Sequence, residues 1–187
     1  MPLTQLDPVA ALIVIDLQKE IAGLPTVHPT SEIISRAAQL ASAFRECKLP
    51  VVLVNVSGRA PGRTDAGSPK FSFPPDWTNL VPELEQQPGD HLVTKQRVGA
   101  FIGTDLHEYL QHRAVTQVFI AGISTSAGVE ATARSAYDHG YNVVLVTDAM
   151  TDRDPEAHRH SVEKIFPKLA EVDITESVLK RLRERAK

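Results

Sequence analysis

The chain has 187 residues, 42% hydrophobic, 23% charged and 5% aromatic, the profile of a globular domain rather than of a disordered tail, a collagen-like repeat or a membrane span. A domain of this length buries roughly 70% of the surface its unfolded chain exposes, so it folds without metal or disulfide, and its single cysteine has no partner within the chain. Twenty Lys and Arg against 23 Asp and Glu leave a net charge of −3, too balanced for duplex DNA or an anionic membrane to be held by bulk electrostatics.

The first apolar run, 9–15, has no Lys or Arg before it and is bracketed by Asp7 and Asp16, unlike a signal peptide. The expected location is cytoplasmic. Strands are expected at 10–16, 50–57, 91–95, 117–122 and 142–147, with a sixth at 171–175. Most are continuously apolar rather than alternating, as strands covered on both faces are. Helical stretches stand between them, and a βαβα order defines an α/β fold built around a parallel sheet.

Residues 30–48 place Ile33, Ala37, Leu40, Ala41 and Phe44 at three- and four-residue intervals, one apolar stripe along a helix. Cys47 falls on that stripe, where a buried, inert thiol is the ordinary reading. The segment 58–77 is rich in Gly and Pro and lacks periodicity. It is read as a long loop, a candidate for covering or binding a substrate. A helix at 104–113 takes Thr104 as its N-cap. Another, at 126–139, ends before Gly140 and has a small-residue face of Gly128, Ala131 and Ser135. Asp154-Pro155-Glu156 opens a helix running to about Phe166. The basic stretch 177–187 reads as a solvated helix end. The whole chain, 1–187, is taken as one domain.

Dinucleotide, P-loop and serine-hydrolase readings lose their usual support, since G-x-G-x-x-G, G-x-x-x-x-G-K-[ST] and G-x-S-x-G are all missing. His158 and His160, two apart on one helix, point to different faces, and no metal site is expected. The polar residues of interest stand at strand ends, where open parallel sheets bind ligands. Asp16 ends the first strand, Lys95 the third, and the fourth runs into Gly122-Ile123-Ser124-Thr125-Ser126-Ala127-Gly128. An Asp and a Lys on one buried rim alter each other's protonation. A helix N-terminus offers N–H groups to an oxyanion or carbonyl, and Gly128 allows close approach. Ion pairing, helix capping and packing are the structural alternatives for these same residues.

These residues resemble the isochorismatase-like hydrolases, which include nicotinamidases and N-carbamoylsarcosine amidases. The resemblance is carried by Ala11-Leu12-Ile13-Val14-Ile15-Asp16-Leu17-Gln18, by Lys95 with Gly99-Ala100-Phe101 and Thr104-Asp105-Leu106, by Gly122-Ile123-Ser124-Thr125 with Gly128-Val129-Glu130-Ala131-Thr132, and by Val146-Thr147-Asp148-Ala149. It implies a three-layer α/β/α sandwich with a mostly parallel, Rossmann-like sheet, a small-molecule substrate, no cofactor, no nucleic-acid or membrane partner, and a homo-oligomer. It also implies a cis peptide between Ile123 and Ser124.

Cysteine hydrolases of the family use an Asp, a Lys and a Cys. Asp16 and Lys95 match the first two, but Gly128 stands at the position of the third, and a glycine cannot form the thioester that amide hydrolysis requires. The nicotinamidases' Asp-x-His metal motif is replaced by Asn55-Val56-Ser57. Isochorismatases cleave a vinyl ether without a covalent intermediate, and several carry Gly at this position. The resemblance therefore implies Asp16 as acid, Lys95 as its positioning cation, and donors from the backbone N–H groups of Ser124 and Gly128. Gln18, Arg97, Phe101, Ile123, Ser124 and Thr125 are the expected substrate contacts, with Arg59 and Arg63 as candidate carboxylate partners and Trp77 as a candidate wall. Two alternatives stay open: a nucleophile among Ser124, Thr125 and Ser126, near which the sequence places no His, and a binding or assembly protein without activity.

Overall fold

A computed structural model describes residues 3–65, 74 and 76–185. Six parallel strands form one sheet: β1 (Ala10–Ile15), β2 (Val51–Val56), β3 (His91–Lys95), β4 (Gln117–Ile123), β5 (Asn142–Thr151) and β6 (Glu171–Asp173), in the order β3-β2-β1-β4-β5-β6. Every residue of β1 and β4 is buried, the reason their sequences are continuously apolar.

Alternate side chains of the strands feed two cores. Leu12, Val14, Leu53, Phe119 and Val144 face α2 (Thr30–Glu46) and α6 (Thr175–Arg185). Ile13, Ile15, Val54, Ile120 and Leu145 face the other layer, made by α3 (Leu106–His112), α4 (Glu130–Asp138) and the turns after α5 (Pro155–His160), which bring in Val162, Ile165 and Phe166. A one-turn helix, α1 (Lys19–Ala22), follows β1. The expected three-layer α/β/α architecture is therefore the one observed. The stripe on α2 buries Ile33, Ala37, Leu40, Ala41 and Phe44 as its spacing predicts, and Phe44 meets Phe119 edge to face at 5.3 Å between ring centroids.

The differences from the sequence reading lie at element ends. β1 stops at Ile15 because Asp16 leaves the extended region, with φ 51°. β4 runs one residue further than expected, to Ile123, and β5 four further, to Thr151. β6 ends at Asp173, and Thr175 begins α6. Thr104 does not act as a strong N-cap: its hydroxyl donates to the Ala100 carbonyl at 2.6 Å and receives only a long bond, 3.4 Å, from the Leu106 N–H. The helix expected at 126–139 begins with a π-helical turn, Thr125–Val129, and only then becomes α4. Its sheet-facing residues are Val129, Ala133 and Ala136, whereas Ala131 packs on Gly99. The helix opened by Asp154 ends at His160 and continues as π and 3-10 turns to Lys168. The basic C-terminal stretch is not merely solvated, since Val178 and Leu182 are buried in the α2 core. Much of the expected loop 58–77, residues 66–73 and 75, lies outside the described residues.

Candidate active site

The strand order reverses between β1 and β4: from β1 the chain winds outward through β2 to β3, then returns to lay down β4, β5 and β6 on the other side. Open α/β sheets bind ligands beyond the carboxyl ends of their strands at such a point. Gly122 makes the junction there. Its φ is 120°, and a Cβ on it would stand 2.1 Å from the Ile15 carbonyl oxygen, so only glycine lets β4 lie this close to β1. The peptide between Ile123 and Ser124 is cis, as the resemblance implies.

Lys95 and Asp16, 79 positions apart in the chain, meet at this rim. Lys95 Nζ lies 2.7 Å from Asp16 Oδ2, with side-chain exposures of 3% and 8%. The ammonium also donates to the carbonyls of Arg97 and Val98, at 3.3 and 2.9 Å, so all three of its protons have acceptors. Asp16 differs: its Oδ1 is buried and has no hydrogen-bond partner. Burial pushes the carboxyl up to about 6, against the opposing pull of Lys95. A buried acceptor left unpaired is costly, and a carboxylic acid that titrates near neutrality can exchange a proton with a bound molecule.

Asp16 and Lys95 line a cavity of about 230 Å³, together with Arg97, Ile123, Ser124 and Gly128. Ile21, Val56, Val98 and Ala127 give it an apolar wall, and Arg59 lies on its edge. Sequence reasoning did not select these four apolar residues, although Val56 ends β2 beside Lys95 and Val98 closely follows β3, so both could have been found as strand-end neighbours of Lys95. Among the described residues, Asp16 is the one acid in the lining, which also holds Lys95, Arg59 and Arg97. Larger hollows sit elsewhere, two of them of about 470 and 480 Å³. The first holds Asp7, whose carboxylate is already satisfied by Gln5, Thr116 and Asn142. The second is a groove along the outer face of α2. Neither presents an unpaired buried charge among the described residues.

Three of the expected substrate contacts lie outside the cavity. Gln18 is fully buried, and its amide is consumed by the backbone: Nε2 donates to the Val56 and Trp77 carbonyls, and Oε1 accepts from the Val56 N–H. It braces the strand ends. Phe101 is 7% exposed and packs on His139 and Tyr141, because the chain turns away from the rim after Gly99. Thr125 is fully buried, with its hydroxyl 2.8 Å from His158 Nδ1. Arg63 is exposed, and Trp77 donates its indole N–H to the Val56 carbonyl, a packing role. Cys47 follows α2 and shares a weak bond with the Leu182 carbonyl, at the opposite end of the strands from the cavity.

Gly128 faces Asp16 directly. A Cβ built on it would come 3.3 Å from Asp16 Oδ2 and 2.9 Å from Ile15 Cγ2, so the corner holds backbone and no side chain. Thr132, one turn on, ties this corner to the segment after Lys95: its hydroxyl donates to the Gly128 carbonyl and accepts from the Ala100 N–H. Asn55, at the end of β2, donates to the Thr78 carbonyl and leaves its own buried Oδ1 unpaired. Among the described residues, no three His, Cys, Asp or Glu side chains converge as a metal site would require.

Fold and site together define a three-layer α/β/α scaffold with a buried Asp–Lys pair at the switch point of its parallel sheet. The isochorismatase domain matches residues 10–177, and the chain belongs to the isochorismatase family of hydrolases. An uncharacterized isochorismatase family protein of Escherichia coli O157:H7 is 38% identical over 92% of this chain and 95% of its own length. A maleamate amidohydrolase of Pseudomonas putida is 28% identical over 94% of this chain and 88% of its own. The solved structure of an isochorismatase family protein from Burkholderia thailandensis superposes with a TM-score of 0.92, at 39% identity, covering 95% of this chain and 97% of that one.

Proposed function

We propose that this protein is a hydrolase without a cysteine nucleophile that cleaves a small anionic enol ether by protonating it from Asp16. The observation that carries the reading is the buried Asp16 carboxyl, with its unpaired Oδ1, in the lining of a cavity whose facing corner, Gly128, has no side chain. In the proposed reaction the Asp16 proton passes to the enol carbon, giving an oxocarbenium ion. Water adds to that ion, the hemiketal separates into a carbonyl compound and an alcohol, and the released proton returns to Asp16. Lys95 holds the carboxyl in place, and with Arg59 and Arg97 it favours a substrate carboxylate. The backbone N–H groups of Ser124 and Gly128 are the proposed donors to the substrate oxygen.

Amide hydrolysis, the activity named for the Pseudomonas relative, is the competing reading. It needs a nucleophile. Thr125 and Ser126 are turned onto His158 and Asp152 and are absent from the cavity lining, which leaves Ser124 without an activating base among its described hydrogen bonds. A substrate panel separates the readings: isochorismate, simple amides and N-carbamoyl compounds, with and without a thiol alkylating agent, for the wild type and Asp16→Asn. Expected is enol-ether turnover that survives alkylation and is lost in the variant, whose fold is kept because Asn also tolerates a positive φ. Amide hydrolysis blocked by alkylation would overturn the proposal, and the absence of any turnover would favour a binding role.

A further inference from the structure

The turn between β4 and α4 carries three consecutive hydroxyl side chains, and they face different ways. Ser124 lines the cavity. Thr125 is fully buried and pairs with His158 Nδ1 at 2.8 Å. Ser126 donates both its N–H and its hydroxyl to Asp152 Oδ2, at 2.7 and 2.8 Å. None of the three caps its own helix: the carboxylate that meets the helix N-terminus comes from outside it.

Both partners belong to one short stretch, from the end of β5 into α5. Asp154 sets its geometry, its carboxylate accepting from the N–H groups of Glu156 and Ala157 and its carbonyl from that of His158, one turn on. Asp152 is 5% exposed. Burial works to raise its carboxyl, but hydrogen bonds from Ser126, Arg153 and Asp154 outweigh this and hold it below the usual range, so it is a charged anchor. His158 is braced from behind by His28, edge to face at 4.9 Å between centroids. His28 in turn takes Thr151 Oγ1 as the acceptor for its backbone N–H, at 3.1 Å.

The turn is closed on itself, because the N–H groups of Ala127 and Val129 both donate to the Ser124 carbonyl. Whatever fixes Thr125 and Ser126 therefore fixes Gly128 against Asp16. We propose that His158 and Asp152 are positioning residues, gripping the 124–126 turn from the side away from the cavity and so setting the closeness of Ser124 and the Gly128 backbone to Asp16. This rests on the cavity being the reaction site.

The test needs no substrate. Thr125→Val and His158→Phe remove the buried bond while keeping bulk, whereas Thr125→Ser and His158→Asn keep a polar partner. In the unliganded protein, amide exchange at Ala127 and Val129 and the titration of the Asp16 carboxyl are followed by NMR. For the two bond-breaking variants the expected result is about tenfold faster exchange and an Asp16 midpoint about one pH unit lower, as water reaches the carboxyl. The two conserving variants should match the wild type. If Thr125→Val does not fold, His158→Phe, at a half-buried position, carries the test. Unchanged exchange, or faster exchange with Asp16 unmoved, would overturn the proposal, as would equal loss in the conserving variants. A wild-type Asp16 that titrates as an ordinary carboxyl would instead count against its role as the acid, and that result is visible without any variant.

Discussion

At the scale of single residues, the proposed chemistry turns on Gly128. Its missing side chain matters in two ways: no atom stands there to attack a carbonyl, and the space one would take is already claimed by Ile15 Cγ2. Gly128→Cys is expected to destabilise the protein by about 1–2 kcal/mol, the overpacking of a buried corner partly offset by better helix propensity. It should not confer alkylation-sensitive amide hydrolysis. Urea denaturation and an amide assay check both expectations, and a stable variant with thiol-dependent activity would contradict them. Asp16 and Lys95 were legible in the sequence because one directly follows β1 and the other ends β3, and strand ends in a parallel sheet share one rim. Gln18, Phe101 and Thr125 were not. Each lies within three residues of a rim position or follows from the family motif, but side-chain direction there depends on φ values and tertiary hydrogen bonds that spacing does not encode. The bond between Thr125 and His158, 33 positions apart, had no sequence signal at all.

At the scale of elements, the apolar runs and stripes that defined strands and helices were recovered, whereas boundaries moved wherever a local hydrogen bond overrode periodicity. The π-helical turn before α4 is one case. The sequence 125–129 has the composition of an ordinary helix start, and the wider turn is visible only in the Val129 N–H reaching back to Ser124. The start of α5 is the opposite case, since Asp154 caps it as the Asp-Pro-Glu signature predicts. Removing this cap by Asp154→Ala is expected to cost about 1 kcal/mol, a fall of roughly 2–4 °C in the thermal midpoint for a chain of this length. Differential scanning calorimetry measures it, and an unchanged midpoint would show that the cap contributes nothing to stability.

At the scale of the whole molecule, the alternation of strands and helices gave the fold class, but not the strand order. With all strands parallel, the carboxyl ends of β3, β1 and β4 share one rim and so assemble Lys95, Asp16 and the Gly128 corner from segments far apart in sequence. The enclosure that results removes Asp16 from water, and with it comes the property that the proposed chemistry needs: a carboxyl near pH 6 rather than near 4. The pH dependence of kcat/KM for an enol-ether substrate tests this most directly, because the protonated form of Asp16 is the active one in the proposed reaction. Below pH 6 the carboxyl holds its proton and the rate should be level; above it the protonated fraction, and the rate, should fall about tenfold per pH unit. A rate that instead climbs through pH 6 to a plateau would make Asp16 a base, and would contradict the account at its centre.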